Sequence, residues 1–284
     1  MPTGTPTNRS NINLPTAISG EILQKVQDQS AVMQLARQIA LPGRGLTIPV
    51  ITSDPSADWV TETGAKPVAD PVLSTKIMQA YKLAVIVPFS NEFRRDAENL
   101  YRALVARLPL ALAQKFDETV FHGAAPGTNF DTFASVTAQS FGTDAYSALV
   151  AADTDVATHG GMLNGFVLSP QGRGALLAEK DGDQRPLFIN NVSEGAIPMI
   201  LGQKVVQAKA AYKAGTPNVL GIAGDWTQAM YGLVNGIDVS FSEEATLTSG
   251  NTTINLWQQN MFAVRAEVEV GFVADTDCFN KLTA

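Results

Sequence analysis

The sequence holds one cysteine, two histidines and no apolar run long enough to cross a bilayer. A single thiol, Cys278, excludes an intramolecular disulfide, so packing alone must hold the fold, and folding in a reducing compartment is expected. His122 and His159 are far apart in the chain and offer no metal-ligand spacing. G-x-S-x-G and H-E-x-x-H are both missing, and no Gly-Lys-Ser/Thr follows the glycine-bounded stretch Gly123–Gly127, which removes the commonest nucleophile, zinc and phosphate-loop signatures. Asp181-Gly182-Asp183 lacks the later glutamate of a calcium loop. No cofactor and no metal site is expected. The N-terminus (MPTGTPTNRSNINLP) has no apolar segment of the kind a secretory signal needs. The longest apolar stretch, Leu83 to Phe89, is strand-sized, so no membrane partner is expected. Basic residues are also in deficit. Lysine and arginine number 20 against 27 acids, giving a net charge of -7 and a pI of about 4.9. That balance argues against sequence-specific nucleic-acid binding as the main task.

What is present is a chain of 284 residues, 45% apolar, enough for one large core or two closely joined ones. Residues 1–16, rich in Thr, Pro and Asn, read as an extended arm. Apolar spacing from Ala17 to Ile39 predicts a helix, interrupted near Asp28–Ser30. Leu46–Ile51 reads as a strand. On the far side of a proline-rich stretch, Leu73, Thr75, Ile77, Tyr81, Leu83, Val85 and Val87 alternate with Ser74, Lys76, Lys82 and Ala84. The two flanks predict a long hairpin with its tip near Thr61–Asp70. Pro88 closes the strand, Ser90 or Asn91 can cap, and Phe93, Ala97, Leu100, Leu104, Leu108, Leu112 and Phe116 form a helical stripe that Pro109 should kink or split.

Asp144 can cap a helix carrying Tyr146, Leu149, Val150 and Val156, and Pro170 opens another over Gln171–Glu179. Strands are expected at Phe166–Leu168, Met199–Ala208, Val219–Ile222 and Ile237–Phe241, with a short helix near Trp226–Tyr231. In the last strand Phe262, Val264, Ala266, Val268, Val270 and Phe272 share one face, and Arg265, Glu267 and Glu269 the other. These elements predict an α+β protein with a projecting hairpin. Two-stranded hairpins are marginal alone in water, so the hairpin and the arm are expected to lie on a neighbouring subunit.

The segment W-x-x-E-x-G-x-K-P from Trp59, followed by that strand and long helix, and the closing N-M-x-x-x-R-x-E from Asn260, resemble the major capsid proteins of tailed bacteriophages, with the Hong Kong 97-type fold. The resemblance implies an N-terminal arm and short helix (1–45), an extended-loop hairpin (46–89), a peripheral domain with a spine helix (90–140), an axial domain (141–232) and strands returning to the peripheral domain (233–284). It implies a structural subunit rather than an enzyme, self-assembling into hexamers and pentamers of an icosahedral virion capsid in the host bacterial cytoplasm. Portal and decoration proteins are the implied further partners. Some relatives carry a long scaffolding segment before the arm; because Met1 stands directly at the arm here, any scaffold is expected to be a separate protein. An encapsulin-like shell that loads cargo enzymes is an alternative on the same fold, and a soluble hydrolase is an alternative of another class.

The resemblance also singles out Lys66, Asn260 and Glu267. In some members a loop lysine joins an asparagine of a neighbour by an isopeptide bond, promoted by a glutamate. The lysine must first lose a proton, which a closed apolar pocket favours by lowering its pKa and raising that of the carboxylate. Lys66 precedes Pro67 and is biased toward an extended backbone. Asn260 and Glu267 differ by an odd number of positions, so on one regular strand they face opposite ways and would serve different reaction sites. The alternative role for Lys66 is an ion pair with an acid on a neighbour.

Overall fold

A computed structural model describes residues 24–43, 45–53, 59–60, 72–92, 97–142, 144–180, 183, 199–249 and 252–284. Residues 24–29 are helical, Ser30 breaks the run, and α1 (Ala31–Leu35) resumes it. The interruption expected near Asp28–Ser30 is therefore present. Ile39, expected in the helix, instead belongs to strand β1 (Arg37–Ala40). Next come β2 (Leu46–Ser53), β3 (Val72–Met78) and β4 (Tyr81–Ser90), then the long helix α2 (Ala97–His122). The middle of the chain supplies β5 (Thr137–Ser140), α3 (Ala145–Thr158), β6 (Gly165–Leu168), α4 (Pro170–Ala178), β7 (Met199–Ile200), β8 (Gln203–Gln207) and β9 (Val219–Gly224). Strands β10 (Ala229–Leu233), β11 (Asp238–Ser242), β12 (Thr246–Ser249), β13 (Thr252–Asn255), β14 (Met261–Ala274) and β15 (Phe279–Thr283) complete the chain.

Two larger sheets organise the molecule. In the five-stranded one, β14 lies at the centre. It pairs antiparallel with β4 along one side and with β11 and then β10 along the other, and β10 pairs in parallel with β1. The inward face carries Phe262, Val264, Ala266, Val268, Val270 and Phe272, all buried as their alternation predicts. Helix α2 covers that face with Leu108, Leu112, Phe116 and Val120. Pro109 sits inside α2 without splitting it. Its missing donor costs about 3 kcal/mol, but buried leucines on both sides keep the two halves packed on one sheet. Ser90 accepts from the Glu92 backbone (3.3 Å), though the described part of the helix begins only at Ala97.

The second sheet runs β5-β15-β9-β6-β8-β7, with α3 and α4 packed on a core of Leu149, Phe166, Leu168, Leu176, Leu220 and Leu282. Asp144 caps α3 by accepting from Ser147 N, and Ser169 caps α4, where Pro170 takes the first position. The expected helix near Trp226–Tyr231 is one 3₁₀ turn, Trp226–Gln228, after which the chain enters β10. β5 and β15, far apart in the chain, join the six-stranded sheet, and β10 the five-stranded one. Alternation tells which face of a strand is buried but not which strand it pairs with. An aromatic cluster welds the halves together: Phe133 stacks on Phe279 at 4.3 Å and meets Phe272 and Trp226 edge-on.

The expected hairpin is present as β2 and β3, paired from Leu46↔Met78 to Ser53↔Val72, and among the described residues neither strand pairs with any other. The single alternating strand expected from Leu73 to Val87 is two strands broken at Gln79–Ala80. At the break Met78 turns inward and is fully buried, while Ile77 is exposed. The notch that receives Met78 needs bare backbone: a Cβ on Gly232 would lie 2.7 Å from the Met78 sulfur, and one on Gly271 would lie 2.7 Å from Gln79 O. Leu41 and Val273 close this small root cluster.

Candidate functional site

The residues singled out by sequence fall in three places. Lys66 lies outside the described residues, as do Asp181 and Gly182. Asn260 sits before β14 in a tight turn that the buried Leu256 pins, with Met261 N bonding to Leu256 O at 2.9 Å. The turn places Asn260 in the left-handed region (φ 52°), a conformation asparagine tolerates better than most residues. Its exposed side chain accepts from Asn91 Nδ2 (2.9 Å), and its backbone O accepts from Asn91 N (2.9 Å). The turn thus ties the end of β4 to the start of β14, and it presents Trp257 to solvent at 75% exposure.

Glu267 lies on the outer face of β14, opposite Ala84 of β4 and Asp238 of β11. Arg265 Nε is 3.2 Å from one of its oxygens and Lys82 Nζ 3.8 Å from the other, and Lys82 also reaches Glu269 at 3.6 Å. Arg265 in turn donates to Ser240 Oγ (3.1 Å). The outward placement of Arg265, Glu267 and Glu269 follows the alternation. The parity argument about Asn260 does not apply, because Asn260 is in a turn rather than on the strand. Separation matters more than facing: seven residues of strand put the two about 23 Å apart. One subunit therefore does not bring Asn260 and Glu267 into a single centre.

The other polar groups are structural. Cys278 is buried, and burial, with Asp275, Asp225 and Asp277 nearby, pushes its thiol up to about 11, which keeps it protonated and a poor nucleophile at neutral pH. His122 Nε2 bonds Ala210 O (2.8 Å), and His159 Nδ1 bonds Asp155 O (2.9 Å). Asp225 accepts from Met162 N, Asn164 Nδ2 and Thr227, fixing the loop before β6 against the 3₁₀ turn. Among the described residues no group of three or more His, Cys, Asp or Glu side chains could hold a metal, and no helix is long and apolar enough to cross a membrane.

One buried carboxylate escaped sequence reasoning. Asp117, toward the C-terminal end of α2, accepts from Ser30 Oγ (2.5 Å), Ala31 N (2.8 Å) and Val32 N (3.3 Å), so the long helix caps α1 through a side chain. Burial raises its pKa from 3.8 to about 6, with the three donors partly opposing the shift. The signal was available: an acid at this position falls on the apolar stripe of α2, between Ala113 and Val120.

Residues 11–283 match the phage capsid family. The probable major capsid protein of Mycobacterium phage L5 is 29% identical over 275 residues, covering 89% of this chain and 84% of that protein. Its counterpart in Mycobacterium phage D29 is 27% identical over 277 residues, covering 91% and 86%. Among solved structures, one from Microbacterium phage Oxtober96 superposes with a TM-score of 0.72 at 24% identity, covering 90% of this chain and 91% of the other.

Proposed function

The chain belongs to the phage capsid family, and from that premise we propose that it is the repeating subunit of an icosahedral phage head, assembling into hexamers and pentamers that enclose the genome. The family is a structural one, so the hydrolase alternative is set aside. Relatives that are phage head proteins favour a head over an encapsulin-like cargo shell. The observation that carries the reading, beside the family match, is the β2–β3 hairpin, which finds no third strand among the described residues. A two-stranded ribbon with exposed Ile77 is stabilised by lying on another surface, and in a shell that surface belongs to a neighbour. In this reading assembly takes place in the bacterial cytoplasm, with scaffolding, portal and decoration proteins as further partners.

The test is expression followed by electron microscopy and sedimentation. Capsomers or closed shells are expected; a strictly monomeric species at high concentration would overturn the proposal. Deleting Thr61–Val72 should leave a folded subunit by circular dichroism and abolish shells. Unfolding of the subunit itself would place the tip in the core and contradict the layout.

The covalent reading of Lys66, Asn260 and Glu267 holds only between subunits, given the separation of the last two. The exposed Asn260 side chain, presented on a left-handed turn, supports it. Lys66 Nζ, deprotonated by Glu267 of another copy, would attack Asn260 Cγ; the C–N bond to the side-chain amide breaks, ammonia leaves and an isopeptide remains. Mature particles boiled in denaturant should then run as ladders, and Lys66→Arg should remove the ladder because guanidinium stays protonated. A single monomer band from wild-type heads would refute the bond and leave Lys66 as an ion-pairing residue.

A further inference from the structure

The two edges of the six-stranded sheet are unlike each other and complementary. At one edge, β5 and the outer side of α3 border an open groove of about 490 Å³ lined by Gln139, Tyr146, Val150, Ala151, Thr154 and Asp155. Tyr146 is 51% exposed and Val150 39%. The helix is acidic: Asp144, Asp153 and Asp155 stand on or cap it, and it has no lysine or arginine. Asp155 is poorly satisfied. Its Oδ2 is buried without a hydrogen-bond partner, and the His159 ring stands off its other oxygen, with Nδ1 at 3.9 Å.

At the opposite edge, β7 and β8 are joined by the two-residue turn Leu201-Gly202, with both residues at positive φ (50° and 77°). Gly202 suits that turn; Leu201 does not, because a branched apolar side chain in the left-handed region costs about 1–2 kcal/mol. The strained leucine is nevertheless 43% exposed, beside Met199 at 61%. Lys204, opposite Met199 in the register, is exposed and has no carboxylate partner among the described residues. The edge is an apolar knob with a cation at its base.

We propose that the Met199–Lys204 knob of one copy docks into the β5–α3 groove of the next, a head-to-tail contact that repeats around the ring of each capsomer. The occupant is a second copy because one chain cannot fill its own groove: six strands at about 4.8 Å spacing hold knob and groove roughly 24 Å apart. The chemistry matches in kind: the apolar knob meets Tyr146, Val150 and Ala151, and Lys204, without a carboxylate partner among the described residues, meets the acidic, undersatisfied helix. A contact between two different patches of identical copies is heterologous, and such a contact makes a closed ring when the rotation it imposes between copies divides the full circle. The inference rests on the capsid reading and assigns the surfaces that reading leaves open.

Disulfide trapping tests it. In particles of a Thr154→Cys/Leu201→Cys variant, mild oxidation should give a non-reducing ladder that ends at five and six subunits and collapses on reduction, while either single variant gives none. Val150→Asp should leave the subunit folded by circular dichroism and cut the yield of closed shells at least tenfold. Oxidised shells that show monomer only, dimer only, or a ladder running past six overturn the contact and leave the capsid reading standing. Wild-type yield of shells from Val150→Asp overturns it as well. Wild-type protein that stays strictly monomeric at high concentration overturns both.

Discussion

Replacing Asp117 should detach the first helical segment from the long helix, and the cost can be worked out from its partners. In Asp117→Ala the Ser30 hydroxyl and the first two amides of α1 lose their acceptor inside the protein. Each buried donor left unpaired costs about 1–3 kcal/mol. Against this, the wild type bears the burden of a buried carboxylate: a pKa of about 6 against 3.8 corresponds to about 3 kcal/mol at neutral pH. The net loss for alanine is then about 3 kcal/mol. The pH dependence has a definite sign. The folded pKa is raised, so the folded state binds the proton more tightly, and Asp117's stabilising contribution is fully present below pH 3.8 and lost as pH rises through about 6. Asp117→Asn keeps the volume and one acceptor and removes this dependence. Urea unfolding of the unassembled subunit at pH 4 and pH 7.5, with amide exchange over residues 31–36, reads both effects. An Asp117→Ala midpoint equal to wild type, or an Asp117→Asn curve with the same pH slope as wild type, would refute the reasoning.

Native protein at pH 8 should resist iodoacetamide at Cys278 and take up one adduct only when unfolded, as mass spectrometry would show, because the thiol is pushed up to about 11. Gly224→Ala should destabilise the subunit by about 1–3 kcal/mol or more in denaturant melts, since the new methyl would collide with the Phe279 ring and lie 2.7 Å from Cys278 O. Lys82→Ala should change unfolding stability by less than about 1 kcal/mol, because its pairs with Glu267 and Glu269 are long and the Lys82 ammonium is exposed.

Much of the fold was legible where one period ran long enough to be unambiguous. The inward face of β14, the stripe of α2 and the caps Asp144 and Ser169 all follow from local chemistry. What escaped was set by distant partners. The break at Gln79–Ala80 is invisible in the alternation because Gly232 and Gly271, more than 150 residues away, make the notch for Met78. The pairing of β15 with β5 and β9 comes with an aromatic cluster whose members Phe133, Trp226, Phe272 and Phe279 are distant in sequence, so alternation within β15 cannot announce it. At the candidate site, the outward face of Glu267 could be read, but the left-handed turn at Asn260 could not, because Leu256 and Asn91 impose it. The groove and knob were unreadable for a simpler reason: Tyr146, Val150, Met199 and Leu201 look like ordinary core residues until the sheet order places them on opposite rims.

The burial of Met78 at the foot of the hairpin makes that residue a fulcrum. From Met78 to Val72 the strand extends about 20 Å, so turning the ribbon by about 5° at its root moves its far end by nearly 2 Å. Among the described residues the hairpin shares no ladder with β4 or β14; its ties to the rest of the subunit lie at the foot, where Met78 is buried and Lys76 donates to Ala274 O (2.7 Å) and pairs with Asp131 (3.2 Å). Subunits in flatter and more sharply curved parts of one shell can thus differ at the reach of a lever while keeping a single core.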